Sequence, residues 1–308
     1  MRHIVDFIRR IGVASLIAFG LASHAQAQTD FTSVKPAKEF TITAPGNVNL
    51  SAQEWGNPDG QIIIFIHGFL QSHLSWWKQV TDPALTKQFR IITFDITGHG
   101  MSDKPWDKAV YNDGTRWADM LKAVLDATGP QKPVVVGWSY GSRIIGDYLN
   151  KYGDDRLAAI DFVGSALSGD PKMFGPGIKL LGEALTGKLA DNLKATRAFD
   201  RACFHVPPSE QDLDQITAIS MAVPNQIRQW ARRPAVYDEG LKAIRIPVLV
   251  THGMEDQVCL LDLAKHVAAT VPNAKTSFYD ATGHSTFWER PERFNKELAD
   301  FVNASVRR

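Results

Sequence analysis

The sequence predicts an α/β fold: a mainly parallel eight-stranded sheet with helices on both faces and an inserted helical cap. Short apolar runs alternate with helical patterns over most of the 308 residues. Such alternation builds parallel sheets that are covered on both faces. From residue 168 to residue 240 the alternation stops, and amphipathic patterns such as Leu213, Ile216 and Val223 replace it. These residues are expected to form the cap.

The predicted strands are short, apolar and separated by turn residues or helical patterns. They span residues 40–43, 48–54, 62–66, 90–94, 134–136, 157–163, 246–250 and 276–279. The first two flank Ala44-Pro45-Gly46-Asn47, which predicts an antiparallel hairpin at the edge of the sheet. The chain is thus expected to have an α/β core of residues 39–167 and 241–308, interrupted by the cap at 168–240. The polar residues 28–38 are expected to be a flexible segment.

The first 27 residues have the pattern of a signal peptide. Three arginines lie within the first ten residues, residues 11–22 are apolar, and Ala25-Gln26-Ala27 resembles a cleavage site. An apolar run of this length is too short to cross about 30 Å of hydrocarbon. We therefore expect a periplasmic or secreted protein, exported by the general secretory rather than the twin-arginine route, with no stable membrane anchor after cleavage.

The composition excludes several function classes. Lys plus Arg is 34 and Asp plus Glu is 33, so no nucleic-acid partner is expected. The histidines lack the spacing of a metal site, and no dinucleotide-binding glycine pattern is present, so we expect no metal and no cofactor. Cys203 and Cys259 leave two possibilities open, a disulfide in an oxidising compartment or two separately buried thiols.

The segment Gly137-Trp138-Ser139-Tyr140-Gly141 follows a predicted strand and precedes a helical pattern. A serine on such a tight turn takes a strained backbone conformation, so its neighbours must be small. The hydroxyl of Ser139 would then stand at a helix N-terminus, where free N–H groups stabilise negative charge. This context predicts a nucleophile elbow rather than an ordinary Gly-Ser turn.

A nucleophilic serine needs a base and an acid that orients the base. Gly283-His284-Ser285 follows the last predicted strand and offers His284 as the base. Asp256, just after strand 246–250, is the candidate acid, with Glu255 and Asp161 as alternatives. The chain order nucleophile, acid, base differs from the orders of chymotrypsin-like and subtilisin-like enzymes.

A tetrahedral intermediate also needs two hydrogen-bond donors for its oxyanion. The backbone N–H of Tyr140, which follows the nucleophile, is one candidate. The backbone N–H of Phe69, in the turn after strand 62–66, is the other. We expect His67 to hold this turn by hydrogen bonds rather than to act in catalysis.

These motifs resemble the ordered set of the α/β-hydrolase superfamily. They are His67-Gly68-Phe69, residues 94–102, the elbow around Ser139, residues 252–256 and Gly283-His284-Ser285. Within the superfamily, residues 102–105, 117–119 and 125–128 most resemble the branch of non-haem chloroperoxidases, perhydrolases and arylesterases. The chain departs from the family pattern at Thr97, usually Arg, and at Ser142, usually Gly.

The resemblance implies a serine esterase or lactonase that works through an acyl-enzyme. Peracid formation from hydrogen peroxide would be a side activity that needs no haem or metal. Aromatic residues near the motifs and in the cap predict an apolar pocket, with Trp138, Phe204 and Trp230 as walls, and small-molecule esters or lactones with apolar or aryl groups as substrates. Ser139 argues against dehalogenases and epoxide hydrolases, which use aspartate. A non-catalytic binding protein on the same scaffold is the remaining alternative.

Overall fold

The computed structural model describes residues 29–31 and 33–306, so the predicted signal peptide lies outside the described residues. Over this range the chain forms eight strands: β1 Lys38–Ala44, β2 Val48–Gly56, β3 Gln61–Ile66, β4 Phe89–Phe94, β5 Val134–Trp138, β6 Ala159–Val163, β7 Val248–Gly253 and β8 Lys275–Tyr279. They form one sheet in the order β1-β2-β4-β3-β5-β6-β7-β8. β2 is antiparallel to β1 and β4, and all other pairs are parallel. The predicted fold class is confirmed.

The helices follow the strands in the alternation that the sequence indicates. They are α1 Trp77–Val80, α2 Pro83–Thr86, α3 Gly114–Ala127, α4 Tyr140–Tyr152, α5 Gly177–Glu183, α6 Leu189–Ala202, α7 Glu210–Met221, α8 Asn225–Trp230, α9 Asp238–Lys242, α10 Leu261–Thr270, α11 Thr286–Glu289 and α12 Pro291–Val306. Helices α3, α4, α9 and α10 pack in one connected layer, and α1, α2, α11 and α12 in another. Among the described residues, no helix has the length and apolar character needed to span a membrane.

The central strands are buried along almost their whole length. Residues 62–66 of β3 and all of β5 are buried. A strand covered on both faces needs apolar side chains on both, so β3 is a continuous apolar run rather than an alternating one. This core fixes the carboxyl ends of β3, β5 and β7, which precede the predicted site residues Phe69, Ser139 and Asp256.

The insertion between β6 and β7 carries helices α5 to α9. Arg228 lies at its centre with 1% exposure and donates hydrogen bonds to the carbonyls of Ala184, Ser220 and Val223. A main-chain connection, which we call the strap, joins the start of the insertion to the loop after β7. In the strap, residues 173–177 pair with residues 257–260 through three N–H···O bonds of 2.8–3.0 Å.

The strand ends lie up to three residues from the positions that the sequence predicts. Two differences have a clear physical reason. β7 runs to Gly253 rather than to residue 250, because its polar end residues continue the pairing with β8. Within the segment predicted to be flexible, Phe31 packs against Trp77 and Trp288, with ring centroids 5.6 and 6.3 Å apart. Burial of the apolar area of three aromatic rings explains this contact. The sequence does not indicate it, because the residues around Phe31 are polar.

Candidate active site

Ser139 stands at the junction of β5 and α4 in a strained conformation, with φ 53° and ψ −113°. Its N–H donates to the carbonyl of Val163 at 2.9 Å, which ties the turn to β6. A Cβ at Gly141 would come within 2.4 Å of the carbonyl oxygen of Ile66. Only glycine therefore lets α4 approach β3 this closely, and the elbow geometry predicted for this segment is present.

His284 and Asp256 are brought together by the loops after β8 and β7. Nδ1 of His284 lies 2.7 Å from Oδ2 of Asp256, and both side chains are buried. Oδ1 of Asp256 accepts hydrogen bonds from the N–H groups of Val258 at 2.7 Å and Cys259 at 3.0 Å. These two donors fix the carboxylate, so that its second oxygen faces the imidazole.

The two alternative acids lie elsewhere. Glu255 is exposed to solvent. Asp161 is buried inside the sheet, where Oδ1 accepts a hydrogen bond from the Thr251 hydroxyl at 2.9 Å. Burial raises the pKa of Asp161 to about 8, so this carboxyl is largely protonated at neutral pH. Of the three candidates, the structure places Asp256 beside His284.

Two neighbours besides Asp256, Trp138 and Gly164, restrict the position of His284. Trp138 donates its indole N–H to the His284 carbonyl at 2.9 Å. Gly164, at φ +48°, lies so close that a Cβ there would be 3.1 Å from Nδ1. Nε2 of His284 is buried and has no hydrogen-bond partner within the described part of the chain. The bond from Ser139 Oγ to Nε2 is therefore not made here, as is common before a substrate binds.

The turn after β3 lies beside the elbow. The rings of Phe69 and Tyr140 are 5.3 Å apart at their centroids. Tyr140 is the first residue of α4, so its N–H has no intrahelical acceptor. Nε2 of the buried His67 accepts the N–H of Ile96 at 3.0 Å, and burial lowers the pKa of His67 to about 4. A neutral His67 thus holds this turn, in the manner that the sequence predicts.

Two contacts at the site were not anticipated from the sequence. The hydroxyl of Ser142 donates to the carbonyl of Ser139 and accepts the N–H of Ala166 at 3.0 Å, which links the elbow to the loop after β6. Nε2 of His252 lies 3.4 Å from Oδ2 of Asp256 and 2.9 Å from the carbonyl of Cys259. The departure at Ser142 from the family pattern was the available signal for the first, and the position of His252 four residues before Asp256 for the second.

Ser139 and His284 open into a cavity of about 360 Å³ between the core and the insertion. Trp138 and Phe204 line this cavity, as predicted, and most of the remaining lining is apolar, including Leu74, Phe174, Ile178, Leu181, Phe199, Ile216, Val258 and Trp288. The interpretation of Trp230 as a pocket wall is wrong. Trp230 is outside the lining and packs instead on Trp106 and Tyr111, with ring centroids 5.1 and 6.1 Å away. The reason is that α8 turns the Trp230 side chain toward the loop between β4 and α3.

Cys203 and Cys259 are both buried free thiols. Both line the cavity, one from the insertion and one from the loop after Asp256. Burial raises the pKa of each thiol well above its usual value, which keeps both thiols protonated. Of the two possibilities left open by the sequence, the structure has the separately buried thiols.

The sheet order and the elbow define an α/β hydrolase. The family model described as alpha/beta hydrolase fold matches residues 61–291, and the chain belongs to this family. It is similar to a bifunctional esterase/perhydrolase of Acinetobacter calcoaceticus, with 27% identity over 85% of this chain and 99% of the relative. A non-heme chloroperoxidase of Streptomyces lividans is 26% identical over 86% of this chain and 99% of the relative.

Solved structures agree with this family. A candidate aryl esterase of Burkholderia cenocepacia is 36% identical, covers 88% of this chain and 100% of its own, and superposes with a TM-score of 0.83. The esterase RhEst1 of Rhodococcus sp. is 27% identical over 87% of this chain and 99% of its own, with a TM-score of 0.80. The resemblance to esterases, perhydrolases and chloroperoxidases is thereby confirmed, and the chain is a hydrolase with esterase-like neighbours.

Proposed function

We propose that this chain is a serine hydrolase of carboxylic esters or lactones. Ser139 Oγ attacks the carbonyl carbon while Nε2 of His284 takes its proton, and the N–H groups of Phe69 and Tyr140 stabilise the oxyanion. The alkoxide leaves with the proton from His284, which produces the acyl-enzyme. Water then attacks the acyl carbon, His284 again takes and returns one proton, and Ser139 is released with the carboxylic acid.

The observation that carries this proposal is the hydrogen bond between His284 and Asp256, beside the cavity that Ser139 and His284 both line. A carboxylate held by two backbone donors accepts the Nδ1–H of His284, so it selects the tautomer with Nε2 free of a proton. Nε2 is then able to accept the proton of a serine hydroxyl. The strained φ of Ser139 supports the same role, since strain of this kind gathers at active sites.

The cavity supports small substrates with apolar or aryl groups. Its volume of about 360 Å³ lies near the lower end of the usual range for ligand sites. Its lining is mainly aromatic and aliphatic, with Trp138 and Phe204 near the proposed nucleophile and base. The similarity to a candidate aryl esterase and to an esterase/perhydrolase supports an ester, or its cyclic form a lactone, as the substrate.

The decisive experiment compares the mature wild type with Ser139→Ala on p-nitrophenyl esters and lactones of graded acyl length. We expect turnover to fall by about 10⁴- to 10⁶-fold, because the remaining donors bind charge but form no acyl-enzyme. Ser33→Ala, which removes an exposed hydroxyl outside the cavity lining, is the control and should retain activity. A fluorophosphonate probe should label the wild type and not Ser139→Ala.

Retention of more than a tenth of wild-type turnover by Ser139→Ala would remove Ser139 from the nucleophile role. A wild type that binds these esters without hydrolysing them would favour a non-catalytic binding protein on the same scaffold.

A second activity at the same site is perhydrolysis. Hydrogen peroxide in place of water would attack the acyl carbon and release a peracid and Ser139, with the same proton transfers through His284. The names of the relatives, an esterase/perhydrolase and a non-heme chloroperoxidase, favour this candidate. The test is peracetic acid formation from methyl acetate and peroxide, which Ser139→Ala should abolish together with hydrolysis.

We propose further that the protein is exported and works in the periplasm or medium. The basis is the pattern of residues 1–27, with its arginines, apolar run and Ala25-Gln26-Ala27. N-terminal sequencing of protein from the periplasmic fraction should begin at or near Gln28. A chain beginning at Met1 in the cytosol would contradict export.

A further inference from the structure

Arg143 lies one helical turn beyond Ser139, on the same face of α4, and both residues line the cavity. Its guanidinium is held in place on one side only. Nη2 donates to the carbonyls of Arg233 at 2.7 Å and Pro234 at 2.8 Å, and Nε donates to the Tyr237 hydroxyl at 3.3 Å. Nη1 makes no hydrogen bond within the described residues, so its two N–H groups are available to a ligand.

The rings of Tyr140 and Tyr237 further restrict this guanidinium. Its carbon lies 5.4 Å from the centroid of Tyr140 and 6.0 Å from that of Tyr237. A cation between two aromatic faces loses little conformational freedom when it binds a partner. Arg143 is therefore already oriented before any anion arrives.

Among the described residues, no carboxylate at the cavity forms an ion pair with Arg143. Three arginines and one aspartate, Asp200, belong to the lining. Arg233 forms a buried ion pair with Asp147, which acts on Arg143 only through its charge, whereas Arg143 and Arg232 make no ion pair within the described part of the chain. Asp200 is bonded to the Ser220 hydroxyl at 2.8 Å, in the part of the insertion formed by α6 and α7.

We propose that Arg143, assisted by the exposed Arg232, forms an anion-binding subsite that selects esters or lactones carrying a carboxylate. The substrate class is then an ester joined by a short apolar chain to a carboxylate, such as a hemiester of a dicarboxylic acid. The apolar lining takes the chain and the two free N–H groups of Arg143 take the carboxylate. This inference rests on the proposed function and narrows its substrate class.

The experiment compares two methyl esters of matched shape. Monomethyl glutarate carries a carboxylate where methyl 5-methylhexanoate carries an isopropyl group, and proton release in a pH-stat measures hydrolysis of both. We expect wild-type kcat/KM to favour the hemiester by about 10-fold or more, since a hydrogen bond to a charged group contributes that much. Added sodium chloride at about 0.5 M should reduce this preference, because salt screens the exposed Arg232.

Arg143→Met should lower kcat/KM for the hemiester about 10- to 100-fold and for the neutral ester less than about 3-fold. Arg143→Lys should retain part of the preference, since it keeps the charge without the fork of donors. Arg197→Met is the matched control: Arg197 pairs with Glu210 and Asp214 on the surface of the insertion and should leave both rates unchanged.

If Arg143→Met lowers kcat/KM equally for both esters, Arg143 only holds residues 233–234 in place, and the inference is overturned. The inference also fails if the wild type hydrolyses the neutral ester at least as well as the hemiester, a comparison that needs no variant. Hydrolysis of neither ester would contradict the proposed function as well, so the two failures are distinguishable.

Discussion

Asp256→Asn tests the proposed proton relay most sharply, because the structure fixes how the new amide must lie. Val258 and Cys259 each present an N–H to Oδ1 of Asp256, so this position requires an acceptor. The amide oxygen of asparagine will take it, and the NH₂ group will then face Nδ1 of His284. A donor at that place forces Nδ1 to be the unprotonated nitrogen and puts the proton on Nε2.

The wrong tautomer leaves His284 unable to accept the proton of Ser139. We expect kcat to fall by about 10⁴-fold, the loss found for the same change in a serine protease, with little change in KM. The fold should survive, since the amide is isosteric and keeps both backbone hydrogen bonds. The assay is p-nitrophenyl acetate hydrolysis under saturating substrate, with thermal unfolding measured on the same samples.

Glu255→Gln is the matched control, because it neutralises the adjacent but exposed carboxylate. It should keep wild-type turnover. The reasoning is refuted if Asp256→Asn, correctly folded, keeps more than a tenth of wild-type kcat, or if Glu255→Gln loses as much as Asp256→Asn does.

Three further predictions concern the surroundings of the site. Native Asp161 keeps its proton up to about pH 8, whereas the unfolded chain releases it near pH 4, so stability should fall as pH rises between these values, by about 1.4 kcal/mol per pH unit. Urea unfolding at pH 5 and pH 8 should show a smaller decrease for Asp161→Asn; an unchanged decrease would exclude Asp161 as its source. Gly164→Ala, at φ +48° and against His284, should lower kcat at least 10-fold in steady-state assays, and full activity would show that the imidazole tolerates displacement. Phe204→Leu should shift the preferred acyl length in an ester panel, whereas Trp230→Leu, outside the cavity, should not, and identical profiles for Phe204→Leu and wild type would remove Phe204 from the pocket.

The elements that follow from local pattern were predictable. The alternation of apolar runs and helical patterns identified the sheet, and the glycines around Ser139 identified the elbow, because close packing and strain at a turn leave few residue choices. The pairing of Asp256 with His284 could be anticipated as well. Each follows a strand at the same edge of the sheet, so their loops had to meet.

The contacts that depend on how the insertion packs against the core were not predictable. Trp230 and Phe204 have the same apolar character in the sequence, yet α8 turns one toward Tyr111 while the other reaches the cavity. The packing of Phe31 against Trp77 and Trp288 joins residues far apart in the chain. The hydrophobic periodicity of the sequence does not predict such contacts, because they depend on how helices and strands pack against one another.

The strap between residues 173–177 and 257–260 affects how this enzyme could be re-engineered. Its hydrogen bonds join the beginning of the insertion to the segment whose N–H groups hold Asp256. Replacing residues 168–240 with the cap of a relative would remove one side of the strap. The segment that holds Asp256 would then lose its hydrogen-bond partners in the insertion. A change of specificity by cap exchange therefore requires that the loop after β7 be transferred together with the cap. The unit to exchange is larger than the cap itself.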